Sequence, residues 1–503
     1  MSPIDQLPDD SKVLKEHIAE LYKLFDEQMG KRDAKIEQLT QQVQLLLRAR
    51  YGKKAETFTA GQLTLFESAQ APAATEATEE ATTETASAGK KHGRGKPSKT
   101  LPRKRIVYEI PQAELACPDC GDTRKQFGEE TSEQYDYVPS SICVIEHVRC
   151  KYACSKCQGH VVIADAGRKP IEKGLAASGM LAYVATSKLA DHQPLHRLEG
   201  IFKRQGADIS RSTMSDWVAA SASIILPLYE YMKERVLKSR IVWTDDTPVK
   251  LQDRDDERNM REARIWVYIG DKENKFTVYD FTDSRKRDGP KNFLSNFKGY
   301  LQADAFTGYD CIYAAGNVRE VACMAHARRK FFDSQSSDQV AATEALSMIR
   351  TLYAIEKEAA ELTPEERRKL RLKKAAPKLA LFKRWLNRQR LTSLPKSPLG
   401  KAVTYALNNW KALCRYLCDG ELSIDNNPSE RALRAVAIGR KNWLFAGSRE
   451  GGKNAAILSS LIATCKQYNV NPQQYLTDIL NRLASGERDF EKLLPGTWVS
   501  ATL

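Results

Sequence analysis

The chain has 503 residues and a formal net charge of +14, which allows about three domains with full cores and favours a polyanionic partner, nucleic acid above all. No apolar run reaches the roughly 18 residues of a membrane-spanning helix, and the polar N-terminus lacks the apolar segment that directs secretion. Eleven cysteines in such a chain are typical of reduced thiols or metal ligands, so we expect a cytoplasmic protein that handles DNA or RNA.

The first predicted element is a helix within residues 1–50. Apolar residues from Leu14 to Leu46 alternate in steps of four and three, with one phase slip, as in a heptad repeat. This pattern predicts either a short coiled coil that pairs two copies or an amphipathic helix docked on its own chain. Residues 51–105 are a predicted linker, rich in Ala, Thr, Glu and Ser and ending in a basic run that could lie along phosphates.

Two C-x-x-C knuckles predict a zinc ribbon in residues 106–165. The knuckles are CPDCG and CSKC, and their four thiolates are those of Cys117, Cys120, Cys154 and Cys157. Each tight turn presents two sulfurs to one ion, so two turns complete the tetrahedral coordination of a structural Zn²⁺. Because Cys143 and Cys150 lie between the knuckles, the ligand set stays open, and free buried cysteines are the alternative.

A helix-turn-helix is predicted within residues 170–237. An amphipathic helix stops near Gly206, a turn follows, and Ser210 or Ser212 caps a second helix that ends at Trp217. The second helix would face a major groove, with side chains of Arg211, Ser212 and Thr213. Two packed helices joined by a glycine turn, without base reading, are the alternative.

From Arg240 the pattern changes to strands. The β-branched or aromatic runs IVWTDDTPVKL, ARIWVYIGD and KFTVYDFT precede a helical stretch and two further strands, GYLQADAF and VREVACMAH. This order predicts an α/β sheet with a mixed edge in residues 238–334. Residues 335–420 are predicted to be a helical insertion, because the helix that closes the sheet lies in 421–447. A helical tail follows in 448–503.

Three carboxylates are candidate metal ligands: Asp245 and Asp304 at strand ends, and Glu430 in the first turn of the helix after the insertion. Strand ends of an α/β sheet bring distant residues together. Two Mg²⁺ about 3.5–4 Å apart activate the attacking oxygen and stabilise the leaving one in phosphodiester chemistry, and Mg²⁺ prefers oxygen ligands. Asp246 could replace Asp245, because neighbouring strand residues face opposite sides, and Asp425 could replace Glu430.

The motifs also occur in a recognisable order: RARYGKKAE, QLTLFES, CPDCG, CSKC, ADHQPLHRLEG, TDDTPVK, LQADAFTGYD, CMAHARRKFF and DNNPSERALRAVAIGRKNWLFAGS. In this order they resemble the insertion-sequence-66 family, a group of bacterial DDE-type transposases. The resemblance implies a ribonuclease-H-like catalytic core with a helical insertion, alongside the coiled coil, zinc ribbon and helix-turn-helix. On the family pattern Asp245, Asp304 and Glu430 match the catalytic acids, and DDT stands where the family more usually has DET.

The activity implied is metal-dependent cleavage at the element's ends, followed by attack of a freed 3′-hydroxyl on target DNA, with two Mg²⁺ (or Mn²⁺). Expected partners are double-stranded DNA, further copies of the chain and accessory proteins of the same element, at the bacterial nucleoid and without a membrane. Further DNA contacts are expected from His326, Arg329, Arg434, Arg440 and Lys441, because phosphate binding needs cations. A transposase-derived DNA-binding protein without catalysis is the alternative, which retention of all three acids disfavours.

Overall fold

A computed structural model describes residues 142–152, 162–163, 168–172, 174–253 and 259–499. The predicted coiled coil and linker lie outside the described residues, as do the four predicted zinc ligands, Cys117, Cys120, Cys154 and Cys157. The chain forms two compact units, one of residues 55–145 and the other of residues 1–54 and 146–503, and every element below belongs to the second. None of the described helices is long and apolar enough to cross a membrane.

A short antiparallel pair, β1 (Lys151–Tyr152) and β2 (Val162–Ile163), opens the described part of this unit. Three helices follow: α1 (Ser178–Leu189), α2 (Leu195–Arg204) and α3 (Arg211–Leu237).

The predicted helix-turn-helix corresponds to α2 and α3. Gly206 turns the chain with a φ of 85°, and the Thr213 backbone N–H donates to Ser210 Oγ over 3.1 Å. Ser210 is therefore the N-cap, and Ser212 is not. The prediction that the second helix ends at Trp217 is wrong, since α3 continues to Leu237. Buried side chains continue at helical spacing beyond Trp217 and keep the helix packed: Val218, Ala222, Ile225, Leu228 and Met232.

A mixed sheet forms the centre of the unit. Its strands are β3 (Ile241–Gln252), β4 (Met260–Ile269), β5 (Thr277–Thr282), β6 (Gly299–Ala303), β7 (Val318–Ala322) and β8 (Phe445–Ala446). The order is β5-β4-β3-β6-β7, and β8 also pairs with β3. Strands β3, β4 and β5 are antiparallel, whereas β6 and β7 run parallel to β3. The predicted α/β sheet with a mixed edge is thus confirmed.

Helices surround this sheet. Those between and after the strands are α4 (Asp288–Phe293), α5 (Asp310–Ala314) and α6 (Met324–Ser334), then α12 (Asn427–Trp443), α13 (Arg449–Gln467), α14 (Pro472–Ala484) and α15 (Phe490–Leu493). Helices α12 and α13 cover one face of the sheet, where Leu433 and Ala456 pack against Val249, Leu251 and Val267.

Residues between α6 and α12 form the predicted helical insertion. Its helices are α7 (Gln339–Glu358), α8 (Pro364–Leu370), α9 (Ala376–Thr392), α10 (Pro398–Asn408) and α11 (Trp410–Leu413), with a π-helical turn between α8 and α9. Helix α9 packs on the core through aromatic rings, because Phe331 of α6 lies 6.0 Å from both Phe382 and Trp385 between ring centroids.

A buried arginine joins the ends of the insertion. Arg371, in the π-helical turn, is only 1% exposed and donates two hydrogen bonds to Glu356, of 2.9 and 2.6 Å. Its guanidinium also donates to three backbone carbonyls just before α12, those of Tyr416, Asp419 and Leu422. A planar guanidinium with five donors suits this arrangement, in which one side chain satisfies several buried acceptors.

Replacing Arg371 with Ala should lower the free energy of unfolding by about 3–5 kcal/mol, because the largely buried Glu356 and three backbone carbonyls would lose their donor. Lys374→Ala is the matched control: its pair with Glu358 is exposed and should contribute at most about 1 kcal/mol. Urea denaturation followed by tryptophan fluorescence measures both, and equal losses in the two variants would contradict the structural role of Arg371.

Candidate active site

Strand register brings two of the predicted acids together. Strands β3 and β6 are parallel, with Trp243 opposite Gln302. The same register, continued by two residues, places Asp245 level with Asp304, which follows the last residue of β6. The prediction that Asp245 ends its strand is wrong, because β3 continues to Gln252 in its pairing with β4. Ligand atoms of Asp245, Asp246 and Asp304 all lie within 4.8 Å of one another. This group of carboxylate oxygens is the first half of the site.

The two neighbouring aspartates of β3 face opposite sides of the sheet. Side chains alternate along a strand, so Asp245 shares the face of Val249 and Leu251, which α12 covers. Asp246 faces the other side of the sheet and lies opposite Trp266 of the neighbouring strand β4. Asp245 is thus the aspartate on the side of the helix that carries Glu430.

Two arginines donate hydrogen bonds to the carboxylate of Asp246. Arg264 Nη1 donates to its Oδ2 over 3.0 Å, and Arg285 donates to its Oδ1 from Nε over 3.0 Å and from Nη2 over 2.8 Å. The Asp246 side chain is only 1% exposed. Both of its oxygens are therefore engaged by cations.

Arg285 also reaches Asp304. Its Nη2 lies 3.3 Å from Asp304 Oδ2, and its guanidinium stacks over the Phe306 ring at 4.2 Å. Asp304 Oδ1, in contrast, is buried and has no hydrogen-bond partner among the described residues. A buried acceptor of this kind is costly unless something binds it.

The electrostatics of the cluster favour a bound cation. Burial, together with the smaller effect of the charge of Asp304, raises the pKa of Asp245 to about 7. Burial likewise raises the pKa of Asp304, which the charges of His326 and Arg285 oppose. Carboxylates this close resist ionising together unless a positive charge joins them.

The Asn-Asn-Pro segment before α12 anchors Glu430 to the sheet. Asn426 is fully buried; its Nδ2 donates to Thr244 O over 2.8 Å, and its backbone N–H approaches Cys323 Sγ at 3.1 Å. Ser429 Oγ in turn donates to Asn426 Oδ1 over 2.9 Å. The first turn of α12 is thus fixed between β3 and the end of β7, and Glu430 projects from that turn.

Glu430 lies beside the start of α6. Its Oε1 is 4.0 Å from His326 Nδ1, and ligand atoms of Cys323, His326 and Glu430 lie within 4.8 Å of one another. Burial raises the pKa of Cys323 to about 12, so its sulfur remains a thiol. The two groups of potential ligands are separate, and the charge of Glu430 makes a minor contribution to the raised pKa of Asp245.

Asp425, the alternative to Glu430, is hydrogen-bonded by Asn427 of its own loop and by Tyr353 of α7. Asn427 donates to it from the backbone N–H over 3.2 Å and from Nδ2 over 2.8 Å. Its carboxylate is buried and is not in either cluster of potential ligands. Glu430 is the better placed of the two acids.

An open groove runs past the acids. Its lining comprises Arg285, Asp304, Ala305, Phe306, Thr307, His326, Lys330 and Tyr405. Lys330 Nζ stacks 4.7 Å over the Tyr405 ring, so α10 of the insertion supplies part of the wall. None of the site residues predicted from the sequence is Arg264, Arg285, Lys330 or Tyr405, although Arg264 lies in the strand run ARIWVYIGD and Lys330 in the motif CMAHARRKFF.

The other predicted DNA contacts differ in their exposure to solvent. Arg211, Ser212 and Thr213 occupy the first turn of α3, where the first two are exposed. Further exposed side chains are those of Arg329, Arg434 and Lys441. Arg440 is half-buried, and its Nη1 donates to Thr247 Oγ1 and Pro248 O over 2.9 and 2.7 Å. Arg440 thus holds α12 against β3, a role its sequence position did not indicate.

Replacing Asp245 with Asn should stabilise the metal-free chain near neutral pH. An unfolded aspartate titrates near a pKa of about 3.9, and burial raises the folded pKa to about 7. The penalty for ionising the folded carboxylate therefore grows as pH rises between these values and stays constant above them. Asn has no charge, and its Oδ1 can still accept the Asp246 N–H, which lies 2.7 Å from the carboxylate.

Melting temperatures in EDTA, at about pH 5 and about pH 8, measure this effect. The gain should be larger at the higher pH. Asp246→Asn is the control of opposite sign, because it leaves Arg264 and Arg285 without their carboxylate. A lower melting temperature for Asp245→Asn at the higher pH would contradict the electrostatic account.

Comparison with known proteins identifies related chains. The model described as "Transposase IS66 family" matches residues 173–454, and "zinc-finger binding domain of transposase IS66" matches 114–158. The "IS66 C-terminal element" matches 460–495, and "Transposase C of IS166 homeodomain" matches 38–106. These matches support DNA as a partner and a structural zinc.

Three uncharacterized proteins of Sinorhizobium fredii are also similar. Protein y4hP is 31% identical and the alignment covers 80% of this chain and 76% of the relative. Protein y4jD is 32% identical over 80% of this chain and 81% of the relative, and y4qI is 34% identical over 77% and 75%. Because the first family model covers more than half of the chain, this protein belongs to the IS66 family of transposases, as its motifs predicted.

Proposed function

We propose that this chain is a DDE transposase that binds the ends of its insertion element, cleaves the DNA there and joins a freed 3′-hydroxyl to target DNA. The observation that supports this most is the convergence of Asp245 and Asp304 at one edge of the sheet, with Glu430 delivered by α12. A regulator without catalysis would have no need of these acids. Their burial beside one another destabilises the charged carboxylates, and the chain nevertheless keeps them together with the family's motifs.

The strand order supports a ribonuclease-H-like core. An antiparallel meander of three strands continues into two parallel strands, so that β3 lies in the middle of the order β5-β4-β3-β6-β7. In this proposal the helices α7 to α11 form an insertion between the second and third acids. The remaining module boundaries are those predicted from the sequence.

The donors fit Mg²⁺, which prefers carboxylate oxygens. Asp304 Oδ1 is buried without a partner among the described residues, and the crowding of Asp245 and Asp304 is what a cation would relieve. In the proposal Asp245, Asp304 and Glu430 hold two Mg²⁺, for which Mn²⁺ can substitute. Bound ions of this kind activate the attacking oxygen and offset charge on the leaving one.

The surrounding side chains position the acids and the DNA. Asp246 fixes the guanidinium of Arg285 at the edge of the groove through Nε and Nη2, which leaves Nη1 to donate to a phosphate. His326 and Arg329 are proposed to lie near the scissile phosphate. Arg434 and Lys441, both exposed, are proposed backbone contacts, whereas Arg440 acts by holding α12 in place.

The other modules would recognise and pair the ends. The four proposed zinc ligands fall within the residues matched by the zinc-finger model: Cys117, Cys120, Cys154 and Cys157. The first turn of α3 would meet DNA through Arg211, Ser212 and Thr213. Homo-oligomerisation through an N-terminal coiled coil, accessory proteins of the same element and association with the nucleoid complete the proposal.

Cleavage of DNA carrying the element's own ends, with Mg²⁺, tests the proposal. Asp304→Ala and Glu430→Gln should each slow cleavage by roughly 1000-fold, because several kcal/mol of transition-state stabilisation are lost. Both variants should bind the same DNA at least as tightly as the wild type, since a negative charge is removed. Binding without cleavage by the wild type, even with the element's accessory proteins added, would favour the non-catalytic regulator.

A further inference from the structure

We propose that the exposed face of α9 is a second DNA-binding surface, which contacts the phosphate backbone of duplex DNA. The helix has 17 residues and contains no Asp or Glu. Its five cations are all exposed: Lys378, Lys383, Arg384, Arg388 and Arg390. The identity of the polyanion as DNA rests on the proposed function, whereas the cationic surface itself is observed in the structure.

These cations have no carboxylate partner among the described residues. The neighbouring helix α7 contains three acids, and each has another partner, in the pairs Glu344–Trp385, Glu356–Arg371 and Glu358–Lys374. Glu356 and Glu358 are thereby paired with cations outside α9, and Glu344 accepts from Trp385 on the buried face of α9 rather than from one of its exposed cations. A positive surface that its own chain leaves uncompensated attracts a polyanion.

The opposite face of α9 is already committed to packing. Phe382 and Trp385 are buried and contact Phe331 of α6. A basic helix that binds a membrane needs its apolar face free to enter the lipid, and here that face lies in the core. The same contact attaches α9 to the helix that carries His326 and Lys330, so the cationic surface is held firmly relative to the acidic groove.

The spacing of the cations suits a phosphate backbone. A helix of this length extends roughly 25 Å, while duplex DNA carries one charge per about 1.7 Å of its axis. Arg384 and Arg388 are four residues apart and form a row on one flank of the exposed face. Lys383 and Arg390 lie on the other flank. Contacts of this type bind phosphates without reading sequence, as target or flanking DNA would require.

The test removes three of these charges in the full-length chain. The triple variant Lys383→Gln, Arg384→Gln, Arg388→Gln keeps helix propensity. The control variant Lys238→Gln, Lys272→Gln, Lys298→Gln removes the same charge from exposed positions at the opposite edge of the sheet from Asp304. Fluorescence anisotropy with a random-sequence duplex, without added Mg²⁺ or Mn²⁺ and at several salt concentrations, gives affinity and its salt dependence.

The α9 variant should bind about tenfold to 100-fold more weakly, and the slope of log affinity against log salt should decrease by about 1–3. The control should change neither quantity to that extent. Equal losses in the two variants, or a wild-type isotherm in the α9 variant, would overturn the inference while leaving the proposed function intact. Absence of DNA binding by the wild type would instead count against both.

Two further measurements keep the outcome specific. Circular dichroism and the melting temperature should match those of the wild type, and Leu381→Gln, which changes the same exposed face without removing charge, should bind DNA normally. A comparable loss for Leu381→Gln would indicate damage to the helix and overturn the electrostatic explanation. Lost binding to anionic lipid vesicles, with DNA binding unchanged, would overturn it in favour of a membrane contact.

Discussion

The crowding of carboxylates at the junction of β3 and β6 is the constraint on which the rest of the site depends. Parallel pairing places Asp245 level with Asp304, and burial then raises the pKa of both. Such a cluster persists only where cations compensate for it. Arg285 supplies part of that compensation and is itself held by Asp246. The two neighbouring aspartates thus have different roles: Asp245 is the proposed metal ligand, and Asp246 accepts hydrogen bonds from Arg264 and Arg285.

The third acid depends on a different kind of constraint, a buried amide network. Asn426 links the start of α12 to Thr244 of β3 and to Cys323 after β7, and Ser429 closes the turn. Neutral hydrogen bonds, not the basic residues of α12, therefore fix the position of Glu430. The cations around it divide into those that hold the helix, such as Arg440, and those left exposed.

Much of the sheet could be predicted, because β-branched runs are local signals, and Asp304 does follow the end of its strand. Asp245 instead lies inside β3, because pairing with β4 continues that strand to Gln252. The length of α3 could not be predicted, since Trp217 resembled a stopping point and only tertiary packing shows that Ile225 and Leu228 continue the buried face. Arg285 was missed because its partner Asp246 is 39 residues away along the chain and no spacing rule joins them. Arg440 was predicted as a DNA contact because charge alone does not reveal its bonds to β3.

The measurement that tests the central claim most directly is Mn²⁺ binding by isothermal titration calorimetry to the full-length chain. Asp304→Asn and Glu430→Gln should each weaken binding at the acidic site by about tenfold or more, since each removes an anionic ligand. Asp425→Asn, which alters an acid bonded to its own loop, should leave the affinity nearly unchanged. Unchanged binding in the first two variants, or a loss only in the third, would contradict the assignment of the acidic site.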